Sequence, residues 1–181
     1  DLSARLGKQV RLRTLGEGTE LDKGLIEKIA DPLVHLVRNS IDHGLEMPDV
    51  RRQAGKDETG TITLAASHQG GHIVIEVSDD GRGLSRDKIL AKAQERGLAV
   101  PDNPTDAQVW DLIFAPGFST ADAVTDLSGR GVGMDVVRRN IQALGGEVQI
   151  ESSAGAGTRT LIRLPLTLAI LDGMTVSVGG E

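Results

Sequence analysis

Cysteine and tyrosine are absent from the 181 residues, and aromatic side chains make up only 2% of the chain. Without cysteine the chain forms neither disulfide bonds nor thiolate metal sites, so a reducing compartment suits it. With so few aromatic rings it lacks the stacking surfaces on which single-stranded nucleic acids bind. A chain of this length nevertheless buries enough apolar surface to fold as one domain without such cross-links.

A surplus of positive charge is also missing. The chain has 20 lysines and arginines against 26 acidic residues, which gives a formal net charge of -6 at pH 7. Nucleic-acid binding depends on clustered cations that neutralise phosphates, so we expect no nucleic-acid partner. A small basic pocket for a single nucleotide remains compatible with this overall charge.

Long hydrophobic runs are lacking as well. No apolar segment approaches the roughly 20 residues that span a bilayer, and the first residues contain no apolar core of a signal peptide. We therefore predict a cytoplasmic protein without membrane insertion. The chain does not begin with methionine and stops at Glu181 directly after two glycines, so we expect it to be a segment of a longer protein.

Strand and helix patterns alternate along the chain without a regular β-α-β order. Strands are predicted at 10–15 (half-buried), 61–67, 73–78, 147–152 and 158–164, and helices near 25–29 and at 32–43, 86–97, 108–114 and 133–144. Asp31 and Pro32 suit the N-cap and first position of a helix that begins there. The core candidates of the first hairpin are Ile62, Leu64, Ile73, Ile75 and Val77. This order predicts an α+β fold, a two-layer α/β sandwich with helices on one face of a mixed sheet.

The helix predicted at 32–43 has two different faces. At helical spacing its apolar side chains gather on one side, namely Leu33, Val34, Leu36, Val37 and Ile41. The other side carries His35, Asn39, Asp42 and His43, which are groups able to hold a phosphate or the water shell of a metal. An ordinary solvated face is the alternative, but this stripe contains none of the lysines and glutamates typical of one.

An acidic residue, Asp79, ends the apolar strand at 73–78, and Gly81 and Gly83 follow it. Glycines let the backbone approach a flat ring closely, and a carboxylate accepts a hydrogen bond from an exocyclic amine. Adenine offers that donor, whereas guanine presents an oxygen that a carboxylate repels, so the pattern favours adenine. A plain Asp-Gly turn remains the alternative interpretation.

A glycine-rich loop at 128–133 leads directly into the helix at 133–144. Free backbone N–H groups at a helix N-terminus bind anions, so this loop is a candidate phosphate site. Its spacing differs from the Rossmann fingerprint, and the P-loop motif occurs nowhere in the chain. A flexible glycine linker would not explain the helix that follows at once.

Both phenylalanines, Phe114 and Phe118, lie in an irregular stretch of the chain. A lid over a nucleotide and a small packed loop would each use such apolar anchors, and the sequence leaves both interpretations open. The segment 155–158 is most simply a hairpin turn.

In this order the segments resemble the motifs of the GHKL superfamily of ATPases and kinases, which share the Bergerat nucleotide site. The matching motifs are an asparagine box (35–43), a D-x-G-x-G box (79–83), a phenylalanine box (114–118), a glycine box (129–133) and Gly157-Thr158. More narrowly, the strings HLVRNSIDHG, DDGRGL, IFAPGFST and SGRGVGMDVV resemble the catalytic domain of CheA-type chemotaxis histidine kinases. The resemblance extends from about Leu6 to Leu171.

The resemblance implies ATP and Mg²⁺ as cofactors beneath a mobile lid. Asp79 is expected to hold the adenine amine, and Asn39 and His35 are the expected metal residues. The ATP-binding residues it implies are Asn39, Asp42, His43, Asp79, Gly81, Gly83, Leu84, Lys88, Ser119, Thr120, Ser128, Gly129, Arg130, Gly131, Val132, Gly133, Met134 and Thr158. The catalytic residues it implies are His35, Asn39, His43 and Lys88. Related ATPases carry a water-activating glutamate where this chain has His35, which favours phosphoryl transfer to a protein over hydrolysis.

The resemblance also implies a division of the chain and a set of partners. Residues 1–8 are expected to end a dimerisation helix, 9–165 to form the catalytic domain, and 166–181 to begin a regulatory domain. The expected partners are a histidine phosphotransfer domain in trans, a second copy of the full-length kinase, the adaptor CheW and chemoreceptors. A conformational ATPase and a non-catalytic nucleotide-binding module of the same fold remain alternatives.

Overall fold

In the computed structural model the described residues are 7–15, 23–118 and 133–165. The strands are β1 (Gln9–Leu15), β2 (Thr59–Gln69), β3 (His72–Asp79), β4 (Glu147–Ser153) and β5 (Gly157–Pro165). The α-helices are α1 (Lys23–Asn39), α2 (Pro48–Gln53), α3 (Arg86–Glu95), α4 (Asp106–Asp111) and α5 (Met134–Ala143). A π-helical turn (Ser40–Gly44) follows α1, and a 3₁₀ turn (Leu112–Phe114) follows α4.

The strands form one five-stranded sheet in the order β1-β2-β3-β5-β4. β1 pairs with β2 in parallel, while the other three pairs are antiparallel, so the sheet is mixed as predicted. β2 and β3 are joined by Gly70 and Gly71, whose φ angles of 53° and 80° allow a two-residue hairpin turn. This topology places β3 in the interior of the sheet, next to β5.

The helices cover one face of this sheet. Every second side chain of β3 points into the core, where Ile73, Ile75 and Val77 are at most 4% exposed. Ile162 and Leu164 of β5 are fully buried in the same cluster, together with side chains from the helices. The opposite face of the sheet carries charged side chains, including an ion pair of 2.5 Å between Arg159 and Glu76. The predicted two-layer α+β sandwich is therefore confirmed.

The helix predicted to begin at Pro32 is instead part of a longer one. α1 runs from Lys23 through Pro32 to Asn39 without a break, so the predicted start at Asp31 and Pro32 was wrong. The buried positions Leu25, Ile29 and Leu36 keep one helical register across the proline, and burial of this common face outweighs the proline's helix-breaking tendency.

Two burial predictions were also wrong. Val34 was predicted to lie on the apolar face of its helix but is 61% exposed, because the buried stripe of α1 follows Leu25, Ile29 and Leu36. The first strand was predicted to be half-buried, yet Leu12 and Leu15 are 58% and 49% exposed. β1 lies at the edge of the sheet and has one neighbouring strand, so its side chains have little to pack against.

The remaining predicted elements are confirmed. Ser85 caps α3, since its side chain accepts a hydrogen bond from the Lys88 N–H, and Thr105 forms a capping box with Gln108 at the start of α4. The core candidate Leu64 packs against the core, and the other four are buried. Among the residues that the structure describes, no helix has both the length and the apolar character needed to cross a bilayer.

Candidate nucleotide site

The end of β3 brings together several segments that the sequence analysis singled out. Asp79 pairs across the sheet with Ile62 of β2 and Thr158 of β5, so it occupies an interior strand. After Asp79 the chain turns back, and the Gly81 N–H donates a hydrogen bond of 2.9 Å to Asp79 Oδ1. This bond holds the carboxylate against its own loop.

The glycines around Asp79 are required by close packing. A Cβ atom on Gly81 would lie 2.0 Å from the carbonyl oxygen of Gly44, at the end of the π-helical turn. Gly157 has a φ of 117°, and its Cβ would lie 2.0 Å from the backbone oxygen of Asp79. No side chain fits at either position, so the two glycines let the π-helical turn and the β4–β5 hairpin approach the Asp79 loop.

A serine that the sequence analysis did not identify joins this loop to the β4–β5 hairpin. The Leu84 N–H donates to Ser152 Oγ at 2.8 Å, and the Ser152 hydroxyl donates to the Gly157 carbonyl at 2.9 Å. The hydroxyl groups of Ser152 and Thr158 are 3.2 Å apart. The predicted site residues Gly81, Leu84 and Thr158 are therefore next to one another around Asp79.

The electrostatic state of Asp79 is set by opposing effects. Burial raises the pKa of its carboxyl above the ordinary value for aspartate. Hydrogen bonds from the Gly81 backbone, the Ser40 side chain and the Thr158 backbone lower the pKa, but they do not offset the burial. Ser40 also escaped the sequence analysis, although it lies within the asparagine box. Because burial destabilises the charged form of this carboxylate, each further hydrogen-bond donor, such as one from a ligand, stabilises it.

The asparagine box lies beside this loop. Ser40 follows Asn39 directly and bonds to Asp79, which links the last turn of α1 to the end of β3. The Asn39 amide nitrogen donates to Met134 Sδ at 3.2 Å, and Met134 is the first residue of α5. The structure thus brings the asparagine box next to both the D-x-G-x-G loop and the N-terminus of the helix after the glycine box.

The histidines of the asparagine box have different environments. His35 is 8% exposed, and burial, with the Arg38 charge, lowers the pKa of its imidazole. His43 is exposed, and Asp42 is partly buried. The Asp42 carbonyl accepts a hydrogen bond of 3.0 Å from Lys8 Nζ, which also bonds to the Ile41 carbonyl at 2.6 Å. Lys8 therefore binds two carbonyl groups of the π-helical turn, another contact that the sequence did not indicate.

The two phenylalanines are buried anchors, as either interpretation of that segment required. Phe114 is 2% and Phe118 6% exposed. The Arg138 guanidinium lies 4.2 Å from the centre of the Phe114 ring, and Lys92 Nζ lies 4.7 Å from that of Phe118. These contacts attach the segment to α5 and α3.

Part of the predicted site lies outside the described residues: Ser119, Thr120, Ser128, Gly129, Arg130, Gly131 and Val132. Gly133 is the N-cap of α5. Lys88 is exposed in the first turn of α3. Three cavities of the described structure, of 280, 330 and 630 Å³, have none of the predicted site residues in their linings. Among the described residues, the hydrogen bonding around Asp79 is what brings the predicted site residues together.

Comparison with known proteins gives matches along most of the chain. The family described as "Histidine kinase-, DNA gyrase B-, and HSP90-like ATPase" matches residues 28–168. The chain is 65% identical over 181 residues to the chemotaxis protein CheA of Salmonella typhimurium and 50% identical over 183 residues to that of Bacillus subtilis. These alignments cover 100% and 99% of this chain but only 27% of each relative, so the chain spans about a quarter of their length.

Solved structures share the fold at low sequence identity. The catalytic domain of the histidine kinase ThkA has a TM-score of 0.53 at 17% identity, covering 91% of this chain and 84% of its own. The histidine kinase domain of a blue-light activated kinase from Erythrobacter litoralis has a TM-score of 0.52 at 17% identity, covering 93% and 61%. Full-length ShkA in complex with AMPPNP has a TM-score of 0.51 at 21% identity, covering 90% and 26%.

Proposed function

Because this chain belongs to the histidine kinase-, DNA gyrase B- and HSP90-like ATPase family, we propose that it is the ATP-binding catalytic domain of a chemotaxis histidine kinase. In this function it transfers the γ-phosphoryl group of ATP to a histidine on a separate phosphotransfer domain. The observation that carries the proposal is the partly buried Asp79 carboxylate at the end of β3, bonded to Ser40 of the asparagine box and to the Gly81 backbone. The identity of 65% to the Salmonella CheA protein supports the chemotaxis assignment.

In this proposal Asp79 recognises the adenine base. Its carboxylate accepts a hydrogen bond from the adenine amine, and the close-packed glycines hold the neighbouring backbone segments around this carboxylate. Guanine presents an oxygen at the same place, so the carboxylate discriminates against GTP. Gly83, Leu84 and Thr158 complete the base end of the site.

The asparagine box and the N-terminus of α5 form the phosphate end. The Asn39 amide nitrogen donates to Met134, which orients the side chain and leaves the carbonyl oxygen for a ligand. An amide oxygen suits Mg²⁺, whereas the imidazole of His35 does not, because Mg²⁺ prefers oxygen ligands. When bound, Mg²⁺ neutralises charge on the phosphates during transfer. His43, Lys88 and the backbone of Gly133 and Met134 are proposed to contact the phosphates.

The partners belong to the proposal as well. The phosphotransfer domain receives the phosphoryl group in trans within a homodimer of the longer protein, and CheW and chemoreceptors regulate the kinase. Residues 1–8 are proposed to end a dimerisation helix and 166–181 to begin the regulatory domain, on either side of the catalytic unit.

A calorimetric titration of this chain with nucleotides tests the proposal. We expect ATP with Mg²⁺ to bind at least about tenfold more tightly than GTP, because one charge-assisted hydrogen bond is exchanged for a repulsion. Labelled ATP together with a phosphotransfer domain should then give phosphohistidine on that domain. ATP binding without any labelled histidine would favour a non-catalytic nucleotide module.

The asparagine variant Asn39→Ala separates the metal role from binding in general. We expect it to reduce phosphoryl transfer at least about a hundredfold while changing ADP affinity without metal by less than about threefold. Asn140→Ala, on an exposed position of α5, is the matched control and should transfer normally. Equal losses of transfer and of metal-free ADP binding in Asn39→Ala would contradict the metal role, and steady phosphate release by the lone domain would favour a conformational ATPase.

A further inference from the structure

Beside the Asp79 loop lies a cluster of charged side chains that no predicted role accounts for. It consists of Glu46, Arg51, Lys56 and Asp80, two acidic and two basic residues. Arg51 is 1% exposed and Glu46 7%, although arginine and glutamate are rarely so buried. The three residues at 46, 51 and 56 come from α2 and its flanking loops, a segment that follows the π-helical turn.

Arg51 binds the loop after β3 at two points. Its Nη1 donates to the Asp80 carbonyl at 3.2 Å and to Glu46 Oε1 at 3.0 Å. Its Nη2 donates to Asp80 Oδ2 at 3.2 Å, and its Nε donates to the Asp57 carbonyl at 2.6 Å. The guanidinium therefore fixes both the backbone and the side chain of the residue that follows Asp79.

Lys56 binds the same loop one residue further along. Its Nζ donates to the Gly81 carbonyl at 2.7 Å and to the Asp80 carbonyl at 3.1 Å. Glu46 Oε2 accepts the third hydrogen bond from this ammonium, at 2.8 Å. Asp80 Oδ1 in turn accepts the Thr61 N–H at 2.9 Å, which ties the loop to β2.

Glu46 holds the two cations in place. Burial opposes its ionisation, but hydrogen bonds from Lys56 and from its own backbone and the charges of Lys56 and Arg51 outweigh this, so the pKa of Glu46 is lowered. The cluster is thus charged and balanced. A buried ion pair is a weak source of net stability, because desolvation cancels much of the attraction. Stability alone is therefore a poor explanation for charges concentrated on two consecutive carbonyl groups.

We propose that Arg51 and Lys56, held by Glu46, are positioning residues that fix the Asp79–Gly81 loop so that the Asp79 carboxylate is oriented toward the adenine amine. Gly81 donates to that carboxylate through its N–H while its carbonyl is held by Lys56. The cations reach the base indirectly, through the loop, and contact no nucleotide. This inference rests on the proposed nucleotide function and adds the residues that give it base specificity.

The test compares ADP and GDP binding in four variants of this chain. Lys56→Met removes both carbonyl contacts but leaves the Arg51–Glu46 pair intact, and Arg51→Lys keeps the buried charge but loses the guanidinium fork. We expect each to weaken ADP binding about tenfold and GDP binding less than about twofold, because only adenine uses Asp79 as an acceptor. Lys56→Arg should restore most of the ADP affinity. Arg52→Met, on the neighbouring residue whose side chain is 61% exposed, is the matched control and should bind as the unchanged chain does.

Urea unfolding of each variant separates positioning from a structural role. If Lys56→Met or Arg51→Lys lowers stability while the ADP-to-GDP preference stays that of the unchanged chain, the cluster only supports the fold and the inference is overturned. An equal loss of ADP and GDP affinity in these variants would also overturn the inference. If the unchanged chain fails to bind ADP at all, the proposed function fails first, and this inference falls with it before any variant is compared.

Discussion

Asp79 combines two requirements that conflict at the level of a single residue. Reading the adenine amine requires an acceptor without protons, which favours an ionised carboxylate. Burial at the end of an interior strand disfavours that charge and raises the pKa of the group. The charge of Asp79 therefore lowers the stability of the unliganded protein, as is often found for residues at functional sites.

This conflict leads to a prediction for Asp79→Asn. We expect ATP affinity to fall at least about tenfold, because the amide offers the adenine amine a weaker, uncharged acceptor. The free energy of unfolding should change by less than about 1 kcal/mol, because the variant no longer buries a charge but its NH₂ group replaces one acceptor oxygen for the Gly81, Ser40 and Thr158 donors. Calorimetry gives the first quantity and urea unfolding the second.

Asp102→Asn, at an exposed position outside the site, is the control and should change neither quantity. A loss of stability in Asp79→Asn equal to its loss of binding free energy would show that the carboxylate serves the fold and not the base.

At the level of elements, the site is assembled where three backbone segments approach within van der Waals distance. The π-helical turn, the loop after β3 and the β4–β5 hairpin meet at glycines that leave no space for a Cβ atom. Gly81 lies against the backbone of Gly44, and Gly157 lies against the backbone of Asp79. The glycines here serve packing between elements, in addition to any contact with a nucleotide.

Two glycines of the β4–β5 hairpin allow the contribution of this close packing to stability and to ATP binding to be measured. Gly155 and Gly157 both have positive φ angles, of 78° and 117°, but only Gly157 has a neighbour within reach of a Cβ atom. We expect Gly155→Ala to cost about 1 kcal/mol, from backbone strain alone. Gly157→Ala should cost about 3 kcal/mol or more and reduce ATP binding, because its methyl group would displace the Asp79 backbone.

Chemical denaturation and ATP titration of the two variants make this comparison. Similar losses of stability in both would show that the contact with Asp79 relaxes easily and that the hairpin can move away from the loop.

At the level of the whole molecule, stability depends on a histidine that is held in its neutral form. Burial and the Arg38 charge lower the pKa of His35 in the folded protein, whereas in the unfolded chain it titrates near about 6.5. Below that pH the unfolded chain takes up a proton that the folded protein excludes. The stability contributed by His35 is therefore complete above about pH 6.5 and is lost as the pH falls toward the lower folded value.

We predict that the free energy of unfolding decreases between about pH 7.5 and about pH 5.5, and that His35→Gln reduces this decrease. Urea unfolding of the two proteins at both pH values is the measurement. The raised pKa of Asp79 has the opposite effect, adding stability as the pH falls, but both proteins share it, so their difference isolates His35. Parallel pH profiles for the two proteins would contradict the prediction.

The amino-acid sequence by itself determined the fold class, most of the elements and some of the residues around Asp79, namely Gly81, Leu84 and Thr158, but not Ser40 and Ser152. Strand alternation, turn glycines and helix caps are local signals, and they predicted both hairpins and the start of α3 correctly. Local signals failed where burial decided the outcome: the continuation of α1 through Pro32, the exposure of Val34 and the exposed first strand.

Only the tertiary structure decided the burial and the contacts of Arg51, Lys56 and Glu46. In the sequence they belong to a short charged segment that is typical of a solvated surface. Packing of α2 beside the end of β3 buries Arg51 and Glu46 and directs Arg51 and Lys56 at the carbonyl groups of one loop. The physical reason is that a buried charge requires partners brought together by long-range packing, and such partners leave no periodic pattern in the chain.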